Sequence, residues 1–453
     1  MKANFSEKFI NKMNDLLGDQ SPMFFNALEN PPIKAITLNT YRLSKETFEK
    51  IADFNITPIP EIHNGYYVEN LKFGNHTLNH LGIIYSQEPS AMYPVEMLDI
   101  YEGDTVLDLC SAPGGKSIQI LEKLNGSGLL VSNEIVYNRA KILYENLNRM
   151  RFKNFIITCN SPQDYEKTNL KFDKILVDAP CGGEGMFRKD NFDFTSYNTA
   201  SIETNAKRQL GILESIKNLL KPGGKLVYST CTYDILENEN VIAEFLKNNN
   251  DFSVLDYPRI NNETTAGIKI EPFRTDLSKR RYPHLQKGEG QFMALLQKNG
   301  DESLSTSSFR AKGYENIYKK DIEVLRKTFK NIADIKDLTL VKRNENIFVL
   351  PEECIDLEDL NVVSAGTLLG TISSGTIKIA HEFYHTYGEL FENKIELDKS
   401  QVLDYLKGYE VNIVENQHQN GICVVTHLGI PLGGGKVVGN KIKNYYPKNL
   451  RIN

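Results

Sequence analysis

Between residues 105 and 300 the apolar positions follow two alternating rhythms: short runs that are apolar nearly throughout, and longer stretches with helical periodicity. The first suits strands covered on both faces and the second suits helices that bury one side, so the alternation predicts βαβ units around a mainly parallel sheet. Strands are expected at TVLDLC (105–110), LLVSNE (129–134), FIITC (155–159), KILVDAP (174–180) and KLVYSTC (225–231), with helices over 114–124, 137–149, 198–219 and 236–247. FSVLD (252–256) and QFMALLQK (291–298) are expected to pair as an antiparallel hairpin closing one edge of the sheet. The insert between them, 257–290, is polar and rich in turn residues, with a basic triplet at Lys279-Arg280-Arg281.

The flanks break this rhythm. Before residue 95, an amphipathic helix, a turn at Pro31-Pro32 and the run AITLNTYRL predict a small α/β unit. After residue 300, DESLSTSS reads as a linker, followed by a basic α/β stretch to residue 385 and a terminal unit whose GIPLGGGK and KNYYPKNLRI read as β turns and short strands. The expected organisation is a catalytic domain over 96–299 with smaller domains at 1–95, 300–385 and 386–453, a division in keeping with 453 residues.

Composition removes several classes of function. Hydrophobic residues at 40% and charged residues at 25% describe an ordinary globular chain. No apolar run reaches the roughly 18 to 20 residues of a membrane span. The N-terminus carries Glu7 and Asp15, unlike a secretory or transit signal, so a cytoplasmic protein is expected. The six cysteines lack CxxC or Cys/His ligand spacing, and His381 and His385 lack the glutamate of a zinc-binding helix, so neither a disulfide framework nor a metal is expected. Net charge is −5 but uneven: residues 308–343 and 430–453 together carry +10, which leaves −15 on the rest. Such a basic C-terminal third is either a face that meets phosphate or a solvated lysine surface.

Candidate chemistry sits where the runs stop. Cys110, Cys159, Cys181 and Cys231 all close predicted strands. A thiol at the carboxyl edge of an open α/β sheet lies where such folds build their sites, although a cysteine in a buried strand also serves as a small hydrophobe. Cys181 and Cys231 suggest covalent chemistry; Cys110, Cys159 and Ser132 read as packing or backbone-contact residues. LDLCSAPGGKS (107–117) leaves a strand, turns through Pro113-Gly114-Gly115 and enters a helix, which lets backbone amides approach a carboxylate or phosphate. It has neither G-x-G-x-x-G nor P-loop spacing. Glu134 ends the next strand about twenty residues on, where an acid either accepts from a ribose diol or caps the following helix. An adenosine-containing cofactor is expected.

Four segments in this order, CSAPGGK (110–116), DAPCGGEGMFRKD (178–190), STCTYDILENEN (229–240) and PHLQKGEGQFMALLQK (283–298), resemble the Sun-type RNA (cytosine-5) methyltransferases. The EGMFRK loop and the C-terminal GIPLGGGKVVGNKIKNYYPKNLR resemble the bacterial RsmF-type branch, and with QEPSAM (87–92) the resemblance spans nearly the whole chain. It implies a Rossmann-like, S-adenosylmethionine-dependent α/β methyltransferase fold with a mainly parallel sheet, an N-terminal unit that binds RNA or buttresses the site, and C-terminal RNA-binding domains, the last PUA-like. It also implies a monomer that makes 5-methylcytosine in RNA, above all the 16S ribosomal RNA of the small subunit. By the same resemblance Cys110, Ser111, Ala112, Pro113, Gly114, Gly115 and Lys116 hold the methionine end of S-adenosylmethionine, Glu134 the ribose, and Arg139 and Asp178 lie near the cofactor and the reacting groups. Where the family has an acid on adenine this chain reads CNSPQDY, and Asn160 stands in that place. Cys231, of the TC pair, is the implied nucleophile, and Cys181, of the PC pair, assists product release.

The chemistry requires such a pair. Carbon 5 of cytosine is too weak a nucleophile until a thiolate adds at carbon 6, and the adduct must afterwards lose the carbon 5 proton and expel the thiol. Asp178 can hydrogen-bond the cytosine edge or cap its own turn. Lys116 can contact the base and lower thiol pKa values, or be a surface lysine. The target base must be exposed or flipped, with Met186 or Phe187 packing near it or Phe187 acting as a loop anchor. Expected phosphate contacts are Arg188, Lys189, Arg280, Arg281, Lys436, Lys441, Lys443, Lys448 and Arg451. His284 is expected to shape the insert. Two competing readings remain: a DNA cytosine-5 methyltransferase, given Glu239-Asn240-Val241, and an inactive RNA-binding or ribosome-assembly factor on a methyltransferase scaffold.

Overall fold

The computed structural model describes residues 5–188, 199–300, 309–329, 337–414 and 419–452. Its centre is a ten-stranded sheet. The strands are β1 (Thr105–Asp108), β2 (Leu129–Asn133), β3 (Phe155–Thr158), β4 (Phe172–Asp178), β5 (Leu220–Thr230), β6 (Phe252–Leu255), β7 (Thr265–Ala266), β8 (Lys279–Arg281), β9 (Gln291–Lys298) and β10 (Val362–Ala365). Their spatial order is β7-β8-β9-β5-β4-β1-β2-β3-β10, with β6 also paired to β9. The five strands foreseen from their apolar runs are parallel to one another. Because side chains alternate faces along a strand, each run feeds two layers at once. Leu107, Val131, Ile156 and Val177 pack on one side with helices α3 (Thr199–Ile216) and α4 (Glu239–Asn248). Val106, Leu130, Ile157 and Leu176 pack on the other with α1 (Gly115–Leu124) and α2 (Tyr137–Met150). Burial on both faces is why these strands read as continuous apolar runs.

The edges differ from expectation. Phe252–Leu255 does pair antiparallel with the end of β9, but β9 is interior, hydrogen-bonded to β5 on its other side. The insert 257–290 adds β7 and β8 beyond it. At the opposite edge β10, from the segment assigned to a separate domain, pairs antiparallel with β3.

Arg280 and Arg281, expected on RNA, are interior. Arg280 forks onto Glu239, with Nε 2.6 Å from Oε1 and the second nitrogen on Oε2, and donates to the Tyr233 carbonyl at 2.9 Å. Arg281 donates to Ser90 and the Lys287 carbonyl and lies 3.9 Å from the centre of the Tyr93 ring. A buried guanidinium needs such partners, since an unpaired one costs several kcal/mol, so these side chains hold the insert against the sheet. The same ion pair occupies Glu239, whose Glu-Asn-Val run was, with the Pro180-Cys181 pair, one ground of the DNA-methyltransferase reading.

The N-terminal unit folds as a four-stranded sheet with helices Glu7–Leu17 and Ser21–Leu28. The C-terminal unit is a five-stranded sheet, and the two share one apolar core to which the first contributes Leu38 and Ile84 and the second Val425 and Tyr405. Among the described residues no helix is long and apolar enough to cross a membrane.

Candidate active site

Register sets the two thiols side by side. β4 and β5 are neighbours, Asp178 faces Ser229, and the Ala179 amide bonds the Ser229 carbonyl at 2.8 Å. Each chain then leaves the sheet within three residues, and Cys181 Sγ comes to 3.3 Å from Cys231 Sγ. The hydrogen bond with Cys231, burial, and the Cys231 charge all push the Cys181 thiol well above its ordinary range. Asp178 stands at the same edge, accepting from Lys116 Nζ at 2.7 Å on one oxygen and from Ser229 Oγ at 2.7 Å on the other. Burial opposes the Lys116 charge, but Asp178 outweighs it and lifts the ammonium above its usual pKa. Lys116 is therefore a largely covered cation, held by Asp178 beside the thiols, and not a free surface lysine.

Three consecutive buried residues brace this edge. Glu237 accepts from the Gly182 amide at 3.1 Å and from Gln209 Nε2 at 2.8 Å, while Gln209 also donates to the Pro180 carbonyl. Asn238 bonds Thr230 Oγ1 at 2.5 Å and the Thr232 carbonyl at 3.0 Å. Glu239 takes Arg280. One side chain thus holds the Cys181 loop, the next the Cys231 loop, and the third the insert beneath them. Gly185 passes so close that a Cβ there would lie 2.8 Å from the Cys231 carbonyl.

The glycine turn is built to leave amides open. Gly114 has φ +118 and starts α1 without a side-chain cap, and a Cβ on Gly115 would stand 3.2 Å from Gln87. Arg139 fastens the turn, donating to the Ala112 carbonyl at 2.9 Å while its other nitrogen lies 3.2 Å from Glu134. Asn146 holds the Pro113 carbonyl at 2.9 Å. Uncapped amides at one end and the Glu134 carboxylate at the other match an amino-acid carboxylate and a diol, so these residues fit S-adenosylmethionine. Glu134 also accepts from the amide of Val136, the residue just before the helix, at 3.0 Å.

A family model described as 16S rRNA methyltransferase RsmB/F matches residues 95–297. Models for the N-terminal domain of 16S rRNA methyltransferase RsmF and the methyltransferase RsmF PUA domain match 5–89 and 392–452. The ribosomal RNA small subunit methyltransferase F of Shewanella oneidensis is 30% identical over 470 residues, spanning 99% of this chain and 97% of that protein. The chain belongs to the ribosomal RNA small subunit methyltransferase F family. The Psychromonas ingrahamii protein of the same name is 29% identical over 482 residues, covering 99% and 98% of the two chains. A crystal structure of a methyltransferase homolog protein from Pyrococcus horikoshii superposes with TM-score 0.57 at 29% identity, covering 65% of this chain and 96% of that one. The methyltransferase F family is one of ribosomal RNA methyltransferases with the S-adenosylmethionine-dependent fold and a C-terminal PUA domain.

Several expectations for this family member need correction. Asn160 is taken: its Nδ2 donates to the Asn361 carbonyl at 3.2 Å and its Oδ1 accepts from the Asn361 amide at 2.9 Å, which anchors β10. Arg188 pairs with Glu289 at 2.9 Å with its side chain buried, and Phe187 packs on Phe9 at 4.9 Å between ring centres, so both anchor the loop to its surroundings. Lys189 lies outside the described residues. Lys436, Lys441, Lys443 and Lys448 are exposed and Arg451 is half-buried. Cys110 packs against the core, Cys159 Sγ lies 3.5 Å from the Ile135 carbonyl, and Ser132 bonds Ser117. His284 packs edge-on against Phe24, joining the insert to an N-terminal helix.

Sequence reasoning missed Gln209, Glu237 and Gln291, the last with Nε2 3.4 Å from Asp178. For Gln209 a signal existed: it is a polar residue in the helical stripe Ile202, Ala206, Leu213, Ile216. Glu237 has a testable signature. Burial raises its carboxyl to about 7, with Gln209 and the Gly182 amide offsetting part of the shift. A carboxyl with a higher pKa folded than unfolded keeps a proton that the unfolded chain has lost, so stability falls as pH rises from about 4.5 to about 7. Glu237→Gln is expected to remove this component, on the order of 3 kcal/mol at most. Urea midpoints at pH 5 and pH 8 should lie closer together in the variant, and an unchanged gap would refute the assignment.

Proposed function

We propose that the chain transfers a methyl group from S-adenosylmethionine to carbon 5 of a cytosine in the 16S RNA of the small ribosomal subunit, through a transient bond between Cys231 and carbon 6. The observation that carries this reading is the pair of thiols 3.3 Å apart at adjoining strand ends, beside Asp178 and Lys116. Held at the 110–116 turn and by Glu134, the cofactor would supply an electrophilic methyl group to carbon 5 and leave as the neutral thioether. The Cys231 sulfur adds to carbon 6, forming the S–C bond and moving the ring's double-bond electrons toward carbon 5 and the ring nitrogen. Asp178 is placed to hold the base edge, and the Lys116 charge favours a thiolate nearby. While the Cys231 charge is present Cys181 keeps its proton. Once Cys231 is a neutral thioether its charge and hydrogen bond no longer oppose ionisation, so Cys181 gives its proton to solvent and, as a thiolate, takes the carbon 5 proton. Its removal restores the double bond and expels the Cys231 thiolate.

The test is product analysis. Full-length protein given methyl-labelled S-adenosylmethionine with small subunits, or with naked 16S RNA, is expected to place label in 5-methylcytidine after complete digestion. Label confined to another nucleoside, or none in RNA, would overturn the reading.

A further inference from the structure

A cavity of about 1360 Å³ lies away from the thiols. Its walls come from the catalytic domain through α2, from the hairpin Thr367–Ser373 and Thr376–Ile379, and from the C-terminal tail after Asn444. Five cations line it: Lys141, Arg149, Lys378, Lys448 and Arg451. Among the described residues no carboxylate forms an ion pair with Lys141, Lys378, Lys448 or Arg451, whereas Lys153, Lys399 and Lys441, which do not line the cavity, each have one. Two acids, Glu145 and Glu382, also line the wall. Burial and the Glu145 charge raise the Glu382 carboxyl above its ordinary range.

Aromatic rings alternate with these charges. Tyr445 is 46% exposed at the rim. Its neighbour Tyr446 is buried, with its hydroxyl 3.0 Å from His80 Nδ1 and its ring edge-on to His381, so the tail presenting Tyr445 and Lys448 is anchored. Tyr144, half-buried on α2, lines the same space. Unneutralised cations interleaved with tyrosine faces match a chain of phosphates carrying unstacked bases.

We propose that this inter-domain cavity is a second substrate site that holds an unpaired stretch of the RNA outside the target cytosine, with phosphates on Lys141, Lys378 and Lys448 and a base stacked on Tyr445. The proposal rests on the reading that the substrate is RNA. It assigns roles to Lys141, Lys378, Tyr144 and Tyr445, which the sequence did not mark, and separates Lys448 from Lys436 and Lys443, which lie outside the cavity.

The experiment measures binding of a fluorescein-labelled single-stranded RNA to the full chain, without cofactor, across salt concentrations. For the exposed pair Lys378→Gln with Lys448→Gln, affinity should fall and the log–log salt slope should shrink by about 1.4, two single-strand phosphate contacts. For Tyr445→Ala, affinity should fall on the order of 10-fold with the slope unchanged, as loss of stacking requires. The control pair Lys167→Gln with Lys247→Gln, exposed lysines that do not line the cavity, should bind much as the parent does. Parent-like binding by the cavity variants would overturn the proposal, as would an equal loss in the control pair, or polyglutamate displacing RNA as well as unlabelled RNA does. If the parent binds and methylates RNA while the cavity variants are unaffected, this site alone falls; if the parent binds no RNA, the methylation reading falls with it.

Discussion

Replacing Cys231 by alanine is expected to end methyl transfer and to leave no covalent protein–RNA species. The thiol at this position is the one that Asn238 fixes from both sides of the residue, through Thr230 Oγ1 and the Thr232 carbonyl. Cys181 is close enough to be considered as a substitute nucleophile, but the Glu237 bond to the Gly182 amide holds its loop with the sulfur 3.3 Å from that of Cys231, out of the place from which carbon 6 is attacked. Without an addition at carbon 6 the ring stays aromatic and carbon 5 stays inert, so the loss should be on the order of 10⁴-fold or more, the scale seen when a covalent nucleophile is removed. Methyl incorporation and a denaturing gel of protein incubated with RNA and cofactor read both parts. Activity within 10-fold of the parent would refute the adduct.

The second large effect has the opposite appearance. Cys181→Ala should accumulate a covalent complex that the parent does not, because it keeps the nucleophile and removes the group placed to take the carbon 5 proton. The methylated ring then cannot restore its double bond, and the S–C bond to Cys231 persists. The complex should survive denaturation, migrate as protein plus RNA, carry labelled methyl, and vanish in the Cys181→Ala, Cys231→Ala double variant. Turnover at the parent rate with no trapped species would show that another base does this work, and Glu237, which contacts the Cys181 loop through the Gly182 amide, would be the next group to test.

Much of this site was legible because of where its residues stand in the burial pattern. A strand covered on both faces is apolar until it leaves the sheet, so the point where KILVDAP and KLVYSTC stop locates Cys181 and Cys231 whatever the neighbouring strands are. Gly114 was legible for a similarly local reason: a positive φ at the start of a helix suits a residue without a Cβ. The basic triplet at 279–281 was misread because charge in a polar insert looks like surface when its partner is distant. Arg280 meets Glu239, 41 residues earlier, and Arg281 lies on Tyr93 and Ser90, from before the catalytic sheet begins. β10 was invisible for the same reason, since a four-residue strand gains its place only from β3, roughly two hundred residues away in the chain.

The order of residues along the chain thus determined the kinds of element, the two thiols at strand ends, the glycine turn and the acid that follows it, because each depends on how a short stretch is covered and bent. Only the tertiary structure decided that β4 lies beside β5, that residues 50 apart bring their sulfur atoms to 3.3 Å, and that Glu237, Asn238 and Glu239 each brace a different part of the site. Strand neighbours and buried charge partners follow from how distant segments pack and satisfy one another, and no local pattern carries that information.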